Sequence, residues 1–128
     1  MITQITHGIR VCVIPEFKPE YSLPLKNHYY FSYRISIENK SEFPVKLLGR
    51  HWYIYDSSGE HNEVEGEGVV GTQPLIGPNE FFEYESACNL STDIGKMRGN
   101  YLMEQVDTGK QFYVQIPEFK MEAPYKLN

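Results

Sequence analysis

Long apolar runs are missing from the sequence: nowhere do about 18 apolar residues follow one another, the length a helix needs to cross a bilayer, and membrane insertion is not expected. The opening Met1-Ile2-Thr3-Gln4-Ile5-Thr6-His7 has neither the basic start nor the apolar stretch of a secretory signal, so a cytoplasmic location is expected. Cysteine is scarce. Cys12 and Cys88 stand far apart, form no metal knuckle or redox pair by spacing, and suit a reduced, packed fate. Basic clusters are absent as well. The 12 Lys and Arg are scattered among 17 Asp and Glu, for a net charge of −5. Because nucleic-acid binding depends on neutralising phosphates with basic side chains, nucleic acid is not an expected partner. Helical periodicity is nearly absent, which argues against any α/β fold.

What the sequence has in quantity is aromatic residues, 14% of the chain, with 10 Tyr, 7 Phe and a single Trp. Such side chains suit a half-buried pleated surface. At 128 residues the chain fits one domain over 1–128, with a core large enough to need no staples. Alternation of period two runs throughout. Ile9, Val11 and Val13 mark a first strand ending at Pro15. Tyr29, Phe31, Tyr33, Ile35 and Ile37 share one face of a second, with Ser32, Arg34, Ser36 and Glu38 on the other. Residues 45–55 form a third, closed by the turn Asp56-Ser57-Ser58-Gly59. Residues 61–65 and 81–86 follow as short strands. Met97, Gly99, Tyr101 and Met103 then pair through Asp107-Thr108-Gly109 with Phe112, Val114 and Ile116, before Pro117. About seven short strands with regularly spaced turns predict an all-β antiparallel sandwich or barrel, with Trp52 in the core, Arg50 on its face and His51 pointing away.

Candidate chemistry is sparse. Gly66-Glu67-Gly68-Val69-Val70-Gly71 has the G-x-G-x-x-G spacing of a dinucleotide site, but no buried strand precedes it and Pro74 follows where a helix should start. The expected role of Gly66, Gly68 and Gly71 is a structural turn. A phosphate role rests on backbone amides with Lys96 or Arg98 as partners, and Glu60, Glu63, Glu65 and Glu67 oppose it. Glu63, Glu65 and Glu67 share a face if the strand continues, and with His61 nearby form either a weak divalent-cation site or the acidic face of an edge strand. Scattered Ser, His and Asp form no nucleophile elbow or other catalytic signature, so no catalytic residues and no cofactor are expected. In Tyr29-Tyr30-Phe31 and Phe81-Phe82 one ring of each pair must leave the core. Tyr30, Phe82 and His51 are accordingly the candidates for an interaction surface.

Several segments together resemble the ApaG family: Tyr30-Phe31-Ser32-Tyr33-Arg34-Ile35-Ser36-Ile37-Glu38-Asn39, Val45-Lys46-Leu47-Leu48-Gly49-Arg50-His51-Trp52, the glycine segment with Gln73-Pro74-Leu75, Met97-Arg98-Gly99-Asn100-Tyr101, and Phe112-Tyr113-Val114-Gln115-Ile116-Pro117-Glu118-Phe119. The resemblance implies an immunoglobulin-like or fibronectin type III-like β-sandwich. It also implies an association with cobalt tolerance and magnesium efflux, which a chain without a membrane span can serve only indirectly. Similar domains in eukaryotic F-box and polymerase-interacting proteins look like interaction modules. The expected function is a non-enzymatic binding domain for a protein partner. Nucleotide or pyrophosphate binding through the glycine loop is the alternative, and weak divalent-cation binding a second one.

Overall fold

The structure, a computed structural model, describes residues 1–124. Nine strands occur among them: β1 (Ile2–Thr6), β2 (Ile9–Phe17), β3 (Tyr29–Asn39), β4 (Val45–Asp56), β5 (His61–Glu67), β6 (Leu75–Ile76), β7 (Phe81–Leu90), β8 (Ile94–Gln105) and β9 (Lys110–Glu122). Every pairing is antiparallel. Sheet I has the order β1-β2-β3-β7 and sheet II the order β5-β4-β8-β9, with the two-residue β6 joined to the start of β4. The two sheets form a sandwich. Its connection between β2 and β3 holds two 3-10 turns, Pro19–Tyr21 and Pro24–Lys26, each opened by a proline whose fixed φ suits that position.

Alternation assigns the inner faces. On β3, Phe31, Tyr33, Ile35 and Ile37 are buried while Arg34 is exposed. Trp52 is buried and packs edge-on against Tyr33 (ring centroids 5.3 Å apart) and Phe119 (6.0 Å). Burying each large apolar side chain contributes about 1.5–3 kcal/mol.

Two irregularities keep the inner face continuous. On β4 the register shifts between Leu47 and Gly49, so Leu48 is an extra residue and the inward phase passes from Val45 and Leu47 to Arg50, Trp52 and Ile54. On β9 the pairing jumps from Gly99↔Ile116 to Met97↔Phe119. Pro117, which cannot donate to a ladder, lies in that bulge. The strand therefore does not stop before Pro117 as expected; it continues to Glu122 and adds Phe119 and Met121 to the core. The expected seven strands become nine because β1 and β6 join them. His7-Gly8, positive in φ at both residues, is the two-residue turn that pairs β1 with β2.

The sandwich is closed along one side only. β1 and β2 lie against β9, where the Gln115 N–H donates to Thr6 Oγ1 (3.2 Å) and the rings of His7 and Phe112 meet at 5.6 Å. No comparable contact joins β5 to β7, and the two sheets part along those edges.

At one end Asp56 ties the β4–β5 turn to the β7–β8 turn. Its carboxylate accepts the Ser91 N–H and O–H (both 2.7 Å), the Ser58 N–H (3.2 Å) and the Thr92 hydroxyl. Burial alone would raise its pKa, but these donors outweigh burial and hold it at about 2. An unfolded Asp titrates near ~3.9. The stability that Asp56 confers is therefore complete above about pH 4 and lost as the pH falls toward 2. Asp56→Asn is expected to melt below the parent at neutral pH and to converge with it near about pH 2. Thermal melts at both pH values check this, and an unchanged gap would count against it.

Candidate functional site

The glycine segment is the end of a strand and a tight turn. Gly66 and Glu67 belong to β5, and the Val69 and Thr72 amides then bond to each other's carbonyls (2.8 and 3.0 Å). The Gly68 N–H donates to Leu48 O (2.8 Å), the bulge carbonyl, which also accepts from Gln73 Nε2 (2.9 Å). Those three amides are committed, and beside them the turn presents carbonyls. They face a cation: Arg50 Nη1 donates to Glu67 O (3.1 Å) and Gly68 O (2.9 Å). The guanidinium rests against Gly66, where a Cβ would come within 2.9 Å of Nη1. Gly68, at φ +60°, has Thr72 O where its Cβ would stand. Val69 is fully buried and pins the turn to the core.

The cation beside the turn is therefore Arg50, and not Lys96 or Arg98. The register sets Arg98 opposite Tyr53 and Lys96 opposite Tyr55, whereas the turn lies beside Leu48 and Gly49. Arg98 covers the Tyr53 ring (4.3 Å to the centroid), and its Nη2 donates to the Tyr55 hydroxyl (3.1 Å). Lys96 pairs with Glu118 (3.9 Å). These residues sit on the outer face of sheet II in an aromatic–cation ladder. His51 stacks on Tyr53 (4.6 Å, 15° between planes), and Tyr55 stacks on His61 (6.0 Å). Each stack is a neighbour of Arg98 or Lys96. Arg over an aromatic ring adds an electrostatic attraction of about 0.5–1 kcal/mol at exposed sites and fixes the cation in place.

Glu63, Glu65 and Glu67 share the outer face of β5, as alternation requires, and all three are exposed. His51 lies between two of them, with Nε2 3.5 Å from Glu63 and Nδ1 3.7 Å from Glu65. Among the described residues no three His, Cys, Asp or Glu side chains are grouped to hold a metal ion. Of the proposed surface rings, Tyr30 is half-buried and packs against Tyr21 (5.4 Å). Phe82 points inward, since its register with Ile37 puts it on the core face, and Phe81 is the exposed ring. The doublet has the expected geometry with its members exchanged.

Between the parted edges of β5 and β7 lies a cleft of about 510 Å³. Its floor holds Tyr33, Trp52, Tyr84 and Met97; Arg50 stands at one end and Val64 on the wall. The Tyr84 and Tyr101 hydroxyls are bonded at 2.6 Å. Burial raises the pKa of Tyr33, Tyr84 and Tyr101, and the Arg50 charge opposes the rise in all three. These phenols stay protonated donors. Cys88, also on the cleft wall, is pushed up to about 11 by burial and then by the Asp56 carboxylate, so it is an inert thiol and not a nucleophile. Both cysteines are free. The signal for this cleft, Arg50 two residues from Trp52 and on its face, stands in the sequence; the opening of the sandwich edge that makes it a cleft does not.

The fold recurs in known proteins. Residues 19–105 match the family model described as the ApaG domain. The protein ApaG of Anaeromyxobacter dehalogenans strain 2CP-C is 45% identical over 128 residues, the whole of both chains. That of Dechloromonas aromatica strain RCB is 46% identical over 122 residues, 95% of each chain. The crystal structure of a Bordetella pertussis protein described as ApaA matches with a TM-score of 0.87 at 41% identity, covering 97% of each chain. Backbone course and sequence thus agree over nearly the full length, and the chain belongs to the ApaG family.

Proposed function

We propose that the chain is a non-catalytic binding domain that offers the outer face of sheet II to a protein partner. The observation that carries this reading is the ladder of His51, Tyr53, Arg98, Tyr55 and His61 on that face. Tyr and Arg are the residues that dominate binding energy at protein interfaces, and these are already held in place, so little side-chain entropy remains to be lost on docking. Exposed Tyr113 on β9 extends the face, and the Glu63–Glu65–Glu67 row edges it. The matching partner surface carries a carboxylate for Arg98 and basic side chains toward that row. No helix of the described residues is long and apolar enough to cross a membrane. On this reading any influence on cobalt tolerance or magnesium efflux passes through the partner.

The test is affinity capture with three baits: the parent, Tyr53→Ser combined with Arg98→Glu, and Arg34→Ala on the outer face of sheet I as control. The reading predicts a protein retained by the parent and the control and lost from the double variant. Equal retention by all three removes the ladder from consideration. An activity of the purified chain abolished by one polar substitution would remove the non-catalytic assignment.

A further inference from the structure

The cleft between β5 and β7 is separate from the outer face of sheet II, and its chemistry is different. We propose that it binds a small monocarboxylate carried on an apolar body, with the carboxylate on Arg50 and the body over the Trp52 side of the floor. Arg50 is half-buried, and no carboxylate lies within 4.0 Å of it among the described residues. Among the described residues only Nη1 is hydrogen-bonded, to the two turn carbonyls, and Nη2 and Nε make no bond. A guanidinium drawn partly out of water is stabilised by dipoles incompletely and by an anion fully, and its planar fork fits a carboxylate.

The remaining surface selects the rest of the ligand. Among the described residues Arg50 is the only basic side chain lining the cleft, and Glu63 lies on its rim, so one negative charge is balanced and a second is repelled. Trp52, Ile54, Val64 and Met97 give an apolar wall, while Ser86 and Asn89 supply polar atoms along the β7 side. A volume of about 510 Å³ fits the range of small-molecule sites and exceeds what a single ring needs. The same chemistry occurs in a free organic acid and in the C-terminal carboxylate of a peptide ending in an apolar residue.

Trp52 is the only tryptophan in the sequence and lies on the cleft floor, so its fluorescence reports on this site alone. Phenylacetate titrated into the full chain is expected to change that fluorescence saturably, with Kd of about 1 mM or below for a ligand of this size. Phenylacetamide, of the same shape without the charge, and phenyl phosphate, a dianion at pH 8, are each expected to bind at least about tenfold more weakly. An N-acetyl dipeptide ending in Phe, with free or amidated terminus, distinguishes the sources: dependence on the free terminus supports the site and assigns it to a peptide end when phenylacetate is the weaker ligand. Arg50→Gln should abolish binding of either. Because Arg50 also holds the glycine turn, Val64→Phe is the second variant; it fills the cleft away from that contact and should also abolish binding while leaving the melting curve intact. Equal binding of phenylacetate and its amide, tighter binding of phenyl phosphate, undiminished binding to Val64→Phe, or no saturable change with any acid up to about 20 mM would each overturn the proposal. Loss of the sheet II ladder in Tyr53→Ser, Arg98→Glu should leave this binding unchanged, so the two sites are tested independently.

Discussion

Asn39→Ala is expected to cost about 3 kcal/mol and to lower the melting temperature by about 10 °C. Asn39 is fully buried at the end of β3. Its Nδ2 donates to Phe43 O (2.7 Å) and Ile76 O (2.9 Å), and its Oδ1 accepts from the Ser41 N–H (2.9 Å) and O–H (2.6 Å). One side chain thus closes the β3–β4 turn and fastens it to β6, the two-residue strand that also pairs with β4. Its backbone adds bonds to Glu80 O and from the Asn79 N–H (2.9 and 2.7 Å). Alanine leaves the Ile76 carbonyl without its donor in a buried setting and takes the acceptor from the Ser41 amide, while Phe43 O keeps the Ser41 hydroxyl (3.2 Å); a buried group left unpaired costs about 1–3 kcal/mol before relaxation. Asn39→Asp is expected to be as damaging, since it keeps the acceptor, loses both donors and sets a charge beside two carbonyl oxygens. Ser41→Ala removes the hydroxyl's bond to Asn39 Oδ1, which is part-buried, and two exposed bonds with Phe43, and should cost about 1 kcal/mol. Chemical denaturation of the four proteins decides the matter; a cost for Asn39→Ala no larger than that for Ser41→Ala would show that the turn is held by its backbone alone.

Gly68→Ala is expected to lose about 4 kcal/mol, while Gly71→Ala, three residues on, should lose only about 1–2. Both glycines have positive φ, +60° and +81°, so the backbone cost of a side chain is similar. The difference is space. At Gly71 an added Cβ meets nothing within 4 Å, whereas at Gly68 it would stand 2.0 Å from Thr72 O. To make room the Thr72 carbonyl must swing away, which breaks its bond to the Val69 N–H (2.8 Å) and loosens Val69, a fully buried side chain. The Gly68 carbonyl, one of the two that orient Arg50, lies within the disturbed turn. Equal midpoints for the two alanine variants would mean that the turn adapts freely and does not position Arg50.

Much of the fold is legible because one face of most strands is apolar. Tyr29 to Ile37 alternates without a break, and the turns at Asp56-Ser57-Ser58-Gly59 and Asp107-Thr108-Gly109 fall where those residue types place them. The losses have separate causes. β1 is exposed along most of its length, so Thr3, Gln4 and Thr6 dilute its alternation. β7 runs four residues beyond Ser86 through the small or polar Ala87, Cys88 and Asn89, whose place in a ladder is decided by β3 beside them. Pro117 resembles a stop, and only the β8 register reveals the bulge that absorbs it. The same limit applies to the site. That Arg50 faces inward with Trp52 follows from alternation, but its partners are carbonyls, and a carbonyl's direction is written in no side chain. The row of Glu63, Glu65 and Glu67 is legible as a face; its distance from Arg98 depends on how four strands are ordered.

The seam between β1, β2 and β9 bears on synthesis. In chain order β1 and β2 are followed at once by their sheet neighbour β3, but the strand that covers their far side is the last one described. Until β9 emerges, Ile9, Val11 and Val13 have water where Val114 and Ile116 will later complete the core. Between the synthesis of β3 and that of β9 the nascent chain therefore carries an open apolar sheet, and such surface invites association with other chains. Docking of β9 on β1 and β2 closes that side of the sandwich and removes the adhesive surface.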